Sequence, residues 1–228
     1  MKIGIMGTGM VGRAFAERLT GLGHDVVIGT RDVSATLART EPDDKGIPAY
    51  ANWAAEHPDM RLVTLPEMGA HGDLIINATS GNATLAAIAA VGAEKLTEKV
   101  ILDLALPLNY VPGGLPALSY GIDDSLGEQV QRAVPQARVV KSLNTMSMTV
   151  MLDPSRLPGS HNAFLSGDDE AAKAVVSELL GSFGWPADAI IDLGGIESAR
   201  GTEMYANLLF LMSRKFGTYD LNIAIVRG

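Results

Sequence analysis

The sequence predicts an α/β protein, a doubly wound parallel sheet over residues 1–149 followed by a smaller α/β unit over 150–228. Three observations predict it. Apolar runs of strand length alternate with segments whose apolar residues recur every three or four positions, the pattern of strands separated by helices. Most of those runs are apolar on both faces, as strands of a sheet covered on two sides must be. The first run leads straight through glycines into a helical pattern, a strand–turn–helix opening.

Residues 2–6, Lys2-Ile3-Gly4-Ile5-Met6, read as a buried strand. Residues 10–22 read as a helix with Val11, Ala14, Phe15, Arg18, Leu19 and Leu22 at helical spacing, and Gly23 stands where a helix stops. A strand over 25–29 and a helix over 33–40, with Ser34 as its cap, complete a βαβ unit. Strands follow over 61–64, 73–78 and 99–103, with a helix over 83–96 between the last two. A helix over 122–134 and a strand over 138–142 close the first unit. The proline- and methionine-rich stretch 146–159 then puts the boundary near Thr149.

The second unit reads as a strand over 162–166, a helix over 169–183, a strand over 189–193 and a long apolar helix over 197–216. Asp168, Asp169 and Glu170 sit where they cap the first of these helices and favour its positive end. In the last helix Tyr205, Leu208, Leu209 and Met212 share a face, which means core or a subunit contact. A homodimer in which this helix packs on its mate is the expectation.

Composition narrows the partners. The formal net charge of −8 argues against a nucleic-acid surface, which needs many Lys and Arg to displace counterions. With no cysteine there is no disulfide and no thiolate metal site, and no histidine motif offers a metal site either. The first residues do not form a signal-peptide h-region. The longest apolar stretches, 86–91 and 208–212, fall far short of the roughly 20 residues that cross a bilayer. A cytoplasmic protein acting on small molecules, with neither nucleic acid nor membrane as partner, is expected.

Gly7-Thr8-Gly9-Met10-Val11-Gly12 is G-x-G-x-x-G between the first strand and the first helix, the context in which that motif binds a dinucleotide in a Rossmann-type sheet. Gly7 turns the chain, Gly9 admits the pyrophosphate to the backbone, and Gly12 lets helix and strand pack closely. The helix N-terminus adds free N–H groups and partial positive charge. Cofactor choice is written after the second strand, where a carboxylate selects NAD by accepting from the ribose 2′-OH. Here Thr30 and Arg31 come first: a hydroxyl and a guanidinium suit a 2′-phosphate, which a carboxylate would repel. Asp32, next in line, is the competing signal for NAD.

Other strand ends belong to the same candidate site, because ligands bind beyond the carboxyl ends of such sheets. Asn77-Ala78-Thr79-Ser80 is placed to line the adenosine ribose and linking phosphates. Ala105-Leu106-Pro107-Leu108 is placed against the nicotinamide. Asn144-Thr145-Met146 faces either the nicotinamide carboxamide or the second substrate. Lys141 is the best-placed proton donor but lies inside a strand, and the scattered His24, His57, His71 and His161 read as loop residues. No catalytic acid or base is assigned.

These residues resemble a known family, the NADP oxidoreductases that include the coenzyme F420-dependent NADP reductases. The opening "IGIMGTGMVGRAFAERLTGLGHDVVIGTRD" is similar to the family's first strand, phosphate loop and Ser/Thr-Arg pair. "VILDLALPLN" at 100–109, "RVVKSLNT" at 138–145, "FLSGDDEAAKAVVSELL" at 164–180 and "IIDLGGIESARGTEM" at 190–204 match it in order and spacing, so the resemblance covers nearly the whole chain. The chain departs from the deazaflavin-using members at Asp32, where they carry a second basic residue, and at Asn144, where they carry His. Similar domains form the cytosolic part of six-transmembrane metalloreductases, which pass hydride to a flavin.

The resemblance implies an NADP(H)-dependent oxidoreductase exchanging hydride with a deazaflavin, coenzyme F420, or a flavin. Such exchange asks mainly for aligned rings, in keeping with a site that shows no acid or base. The acceptor is expected between the two units, against Met146, Met148 and Met151, an adaptable apolar wall. The alternatives are reduction of a small carbonyl or imine, and a non-catalytic NADP(H)-binding redox sensor.

Overall fold

The computed structural model describes all residues except 44, 45, 111–113 and 121. In chain order the elements are β1 (Lys2–Met6), α1 (Met10–Gly21), β2 (Asp25–Thr30), α2 (Val33–Ala38), α3 (Tyr50–Glu56), β3 (Arg61–Thr64), α4 (Leu65–His71), β4 (Leu74–Asn77), α5 (Gly81–Val91) and β5 (Val100–Asp103). There follow a short antiparallel pair, β6 (Leu108–Asn109) and β7 (Ala117–Leu118), then α6 (Leu126–Ala133), β8 (Arg138–Ser142) and α7 (Met148–Leu152). The chain closes with β9 (Ala163–Ser166), α8 (Glu170–Phe183), β10 (Ile190–Asp192), α9 (Ala199–Met204) and α10 (Ala206–Phe216).

Eight strands form one sheet in the order β3-β2-β1-β4-β5-β8-β9-β10. Every neighbouring pair is parallel except β8 and β9. The doubly wound α/β class expected from the pattern is therefore present, and β9 and β10 extend the same sheet beyond Thr149. Strand order reverses between β1 and β4, and the glycine loop leaves the sheet at that reversal.

Side-chain alternation divides the core. Ile3 and Ile5 of β1, Ile76 of β4 and Val140 of β8 pack with Phe15, Leu19, Val176 and Phe183 under α1 and α8. Met6, Ile75, Ile101 and Val139 point the other way, to Met68, Ile88 and Val130 of α4, α5 and α6. With period two along each strand, the central strands β1, β4, β5 and β8 are covered on both faces, while the edge strands β3 and β10 are only partly buried.

Several elements differ from expectation. Asp32, not Ser34, caps α2: its carboxylate accepts from the Ala35 amide at 2.9 Å. The helices α3 and α4 have no counterpart in the sequence reading. Thr64 starts α4 directly from the end of β3 through a capping box with Glu67. The helix expected over 83–96 ends at Val91, where Gly92 takes φ +93°, and the one expected from 122 begins at Leu126 after a Ser125 cap. The long C-terminal helix is α9 and α10, joined through Tyr205. Its anticipated common face divides, with Leu209 buried and Leu208 half exposed. Among the described residues no helix is long and apolar enough to cross a membrane.

Candidate active site

The glycine loop has the form a pyrophosphate requires. Gly7 holds φ +125°, and a Cβ there would lie 2.6 Å from the Ala78 carbonyl oxygen, so a side chain is barred by backbone and by conformation together. A Cβ on Gly12 would strike the Gly7 carbonyl oxygen at 2.2 Å, which is what lets α1 start so close to β1. On Gly9 the same atom would meet nothing within 4 Å: this backbone faces open space. Gly9 is also the residue before α1 and supplies no side-chain cap, leaving the first-turn amides for a ligand. Arg13 braces the loop from below, donating to the Thr8 and Pro48 carbonyls at 2.8 and 2.9 Å.

Three adjoining clefts run along the carboxyl edge of the sheet. A cleft of about 260 Å³ between the glycine loop and α5 is lined by Gly7, Thr8, Gly9, Thr30, Arg31, Leu65 and Ala78–Ser80. It has the apolar floor and polar rim of an adenosine site. Beside it, Thr8, Thr30, Arg31, Asp32, Ala35, Thr36 and Arg39 enclose about 410 Å³. The Thr30 and Thr36 hydroxyls stand 2.8 Å apart there, and Thr36 donates to the Asp32 carbonyl.

The third cleft, about 340 Å³, lies on the far side of Gly9. Met10, Val11, Ala105, Leu106, Asn144, Met146 and Met151 line it, with Tyr110, Leu209, Phe210 and Tyr219 as further walls. Its floor is the end of β8, where Leu143 adopts φ +62°, a left-handed conformation costly for a branched side chain. The following Asn144 and Thr145 are each 2% exposed, and their Nδ2 and Oγ1 atoms have no hydrogen-bond partner.

Most residues singled out in the sequence meet along this edge. Gly12, Asn77, Pro107 and Thr145 do not line it. Asn77 is fully buried and works from behind, donating to Asp103 at 2.7 Å while accepting from the Thr79 hydroxyl at 2.7 Å. Pro107 offers its carbonyl to the Ser119 amide. Met148 is outside the described walls of the third cleft, whereas Met146 and Met151 are part of them.

Lys141 is enclosed rather than available as a proton donor. Its ammonium lies 3.0 Å from Asp103 and 3.0 Å from Glu203, and it also donates to the Ala105 carbonyl. Burial alone would lower its pKa, but the two carboxylates outweigh that and raise it, so it stays charged. Its work is to fix the Ala105 loop. The four histidines lie elsewhere: His24 meets the N-terminal amine, His57 stacks on Trp53, His71 contacts Asp25 and His161 contacts Pro154.

Sequence reading missed the walls supplied by Tyr110, Leu209, Phe210 and Tyr219, because nothing in their local pattern announces a return to the first unit's sheet edge. Arg39 and Thr36 were missed too, hidden inside what read as an ordinary helix.

A glycine loop at the reversal of a doubly wound sheet, with a cationic cleft beside it and an apolar one beyond, defines a dinucleotide-binding oxidoreductase. Comparison with known proteins specifies which. Residues 2–107 match the family described as NADP oxidoreductase, coenzyme F420-dependent. A crystal structure from Arthrobacter sp. FB24, provisionally assigned as an F420-dependent NADP reductase, superposes with a TM-score of 0.93 at 46% identity over 100% of both chains. The F420-dependent NADP reductase of Methanothermobacter marburgensis is 29% identical over 94% of this chain and 93% of its own. Metalloreductase STEAP3 of Rattus norvegicus is 26% identical over 89% of this chain but only 36% of its own. The chain belongs to the family of NADP oxidoreductases that includes the F420-dependent NADP reductases, and it is an NADP-dependent oxidoreductase.

Proposed function

We propose that the protein transfers hydride between the nicotinamide of NADP(H) and a planar deazaflavin or flavin-like acceptor seated in the third cleft. The composition of that cleft carries the reading. Its described walls are aromatic, aliphatic and thioether, with Asn144, Ser147, Thr79, Ser80 and the tyrosines Tyr110 and Tyr219 as polar points, and no Lys, His, Asp or Glu among them. Two flat rings stack well in such a place, while reduction of an imine or carbonyl asks for a proton donor at the reacting atom, a part for which these walls offer only the two tyrosines.

The residues fit the cofactor. Backbone amides at Gly9 and the start of α1 would hold the pyrophosphate, Thr30 and Arg31 the 2′-phosphate, and Ala78 to Ser80 the ribose and linking phosphates. Bound NADPH supplies the hydride. Ala105 and Leu106, the former held by Lys141 and Asp103, would line the nicotinamide pocket, and Asn144 Nδ2 would be the donor for its carboxamide or for the acceptor's carbonyl edge. Tyr219 and Phe210, in edge contact at 6.5 Å, would screen the rings from water. We read the chain as cytoplasmic, and as a homodimer through outward residues of α10 such as Leu208 and Leu211; sedimentation as a monomer would remove the dimer.

Steady-state oxidation of NADPH against coenzyme F420, riboflavin, FMN and a panel of cyclic imines tests the function. Turnover is expected with one or more ring acceptors and none with imines. Turnover with imines alone would replace this function with the carbonyl or imine alternative.

A further inference from the structure

The cleft beside the glycine loop contains two arginines, and only one belongs to the Thr30-Arg31 pair. Arg31 precedes the cap of α2, and Arg39 follows its last residue, where the chain leaves the helix in an extended conformation. Some eight residues of helical rise put their backbones about 12 Å apart. Two arginine side chains turned toward each other span that distance, and both line the same cleft of about 410 Å³ with Thr8, Thr30, Asp32 and Thr36.

Among the described residues neither guanidinium has an ion pair. The arginine ion pairs of the described chain belong to Arg61, Arg132, Arg138, Arg156 and Arg200. The carboxylate among the described residues of the rim, Asp32, has an oxygen committed to the Ala35 amide as the cap of α2. A ligand for this place carries a compact dianion that accepts from two guanidinium forks and from hydroxyls.

We infer that Arg39 is a second reader of the cofactor's 2′-phosphate, closing on it from the far end of α2 while Arg31 and Thr30 hold it from the near end. The inference rests on the NADP(H) reading of the cleft and deepens it. Arg39 supplies from the end of the helix the second positive charge that Asp32 does not supply at the start. Discrimination against NADH is then shared by two residues eight positions apart, and salt weakens it because both are exposed.

Equilibrium binding of NADPH, NADH and 2′,5′-ADP to the wild type, Arg31→Ala, Arg39→Ala and Arg39→Lys tests this. Arg39→Ala is expected to weaken NADPH and 2′,5′-ADP roughly tenfold, as loss of a charge-assisted hydrogen bond does. NADH affinity stays unchanged and serves as the internal check that the variant is folded. Arg39→Lys recovers part of the loss. Unchanged NADPH affinity in Arg39→Ala, with Arg31→Ala impaired, overturns the role of Arg39 and leaves the NADP(H) reading intact. Equal weakening of NADPH and NADH also overturns it, since Arg39 would then support the loop and not the phosphate. A wild type that binds NADH as well as NADPH, insensitive to both arginines, overturns the reading of the cleft itself.

Discussion

Lys141 Nζ lies 3.0 Å from Glu203 Oε1, so β8 is ion-paired to α9, the helix that leads into α10 and the third cleft. Glu203 also accepts from the amides of Leu126 and Gly127 at 2.9 and 3.0 Å, which makes it an acidic cap for α6 donated from 76 residues or more away. The trio of Lys141, Asp103 and Glu203 thus ties the sheet edge, the Ala105 loop and the C-terminal helices into one buried assembly. Lys141→Met leaves two carboxylates buried without their cation, and the expected cost is about 3–5 kcal/mol. Chemical denaturation measures it; a loss under about 1 kcal/mol would show the trio to be dispensable.

Asn144 presents the reverse case, a polar group that folding leaves unsatisfied. Replacing it by leucine, of similar size, removes an unpaired buried amide of the kind that costs about 1–3 kcal/mol. Thermal stability of Asn144→Leu is expected to be equal or higher, while kcat/KM falls roughly tenfold or more through the missing hydrogen bond to the reacting rings. Lower stability with unaltered kinetics would make Asn144 an ordinary structural residue.

Asp32 was the competing signal for NAD, and its position as a helix cap explains its presence. Asp32→Asn preserves a good cap, so stability should change by only a few tenths of a kcal/mol, whereas Asp32→Ala should cost about 1 kcal/mol. Because the carboxylate borders a cationic cleft, Asp32→Asn should also tighten NADPH by about 0.5–1 kcal/mol at low salt. Weaker NADPH binding with stronger NADH dependence on Asp32 would return it to the ribose.

Glu128 gives a pH dependence. The Arg200 guanidinium, at 2.5 and 2.9 Å, holds its carboxyl below the usual range, with the Ser125 hydroxyl adding to the effect against burial. A depressed carboxylate contributes stability above its unfolded pKa, about 4.3, and loses it as the pH falls through the folded value. Glu128→Gln should therefore be about 1 kcal/mol less stable than wild type at neutral pH, the gap closing in acid below pH ~4. A gap that persists in acid would assign the loss to packing.

Much of the cleft around the glycine loop was legible in the sequence because its residues lie close to two strand ends. The G-x-G-x-x-G spacing lies within six residues between one strand and one helix, and Thr30-Arg31 at the end of the next strand, although the contact that bars a side chain at Gly7 comes from Ala78. The acceptor end was not, because Phe210 and Tyr219 reach the cleft only after β9 and β10 join the first unit's sheet and α9 is anchored on Lys141. Helix α4 was legible and was missed: Thr64-Leu65-Pro66-Glu67 has the capping-box spacing with proline inside the first turn. Continuity with the strand 61–64 hid it, since no loop separates the two. Lys141 was correctly placed in a strand, yet its partner Glu203 lies 62 residues away, beyond any local pattern.

The central claim is direct hydride transfer from the nicotinamide to a ring acceptor. It is tested most directly with NADPH carrying deuterium at the transferable position, mixed with the enzyme and coenzyme F420 and followed by mass spectrometry of the reduced acceptor. A deazaflavin receives hydride at carbon, so the label does not wash out. Deuterium from one face of the nicotinamide is expected in the reduced acceptor. Reduced acceptor without deuterium, or no oxidation of NADPH in the presence of deazaflavin and flavin acceptors alike, would contradict the account.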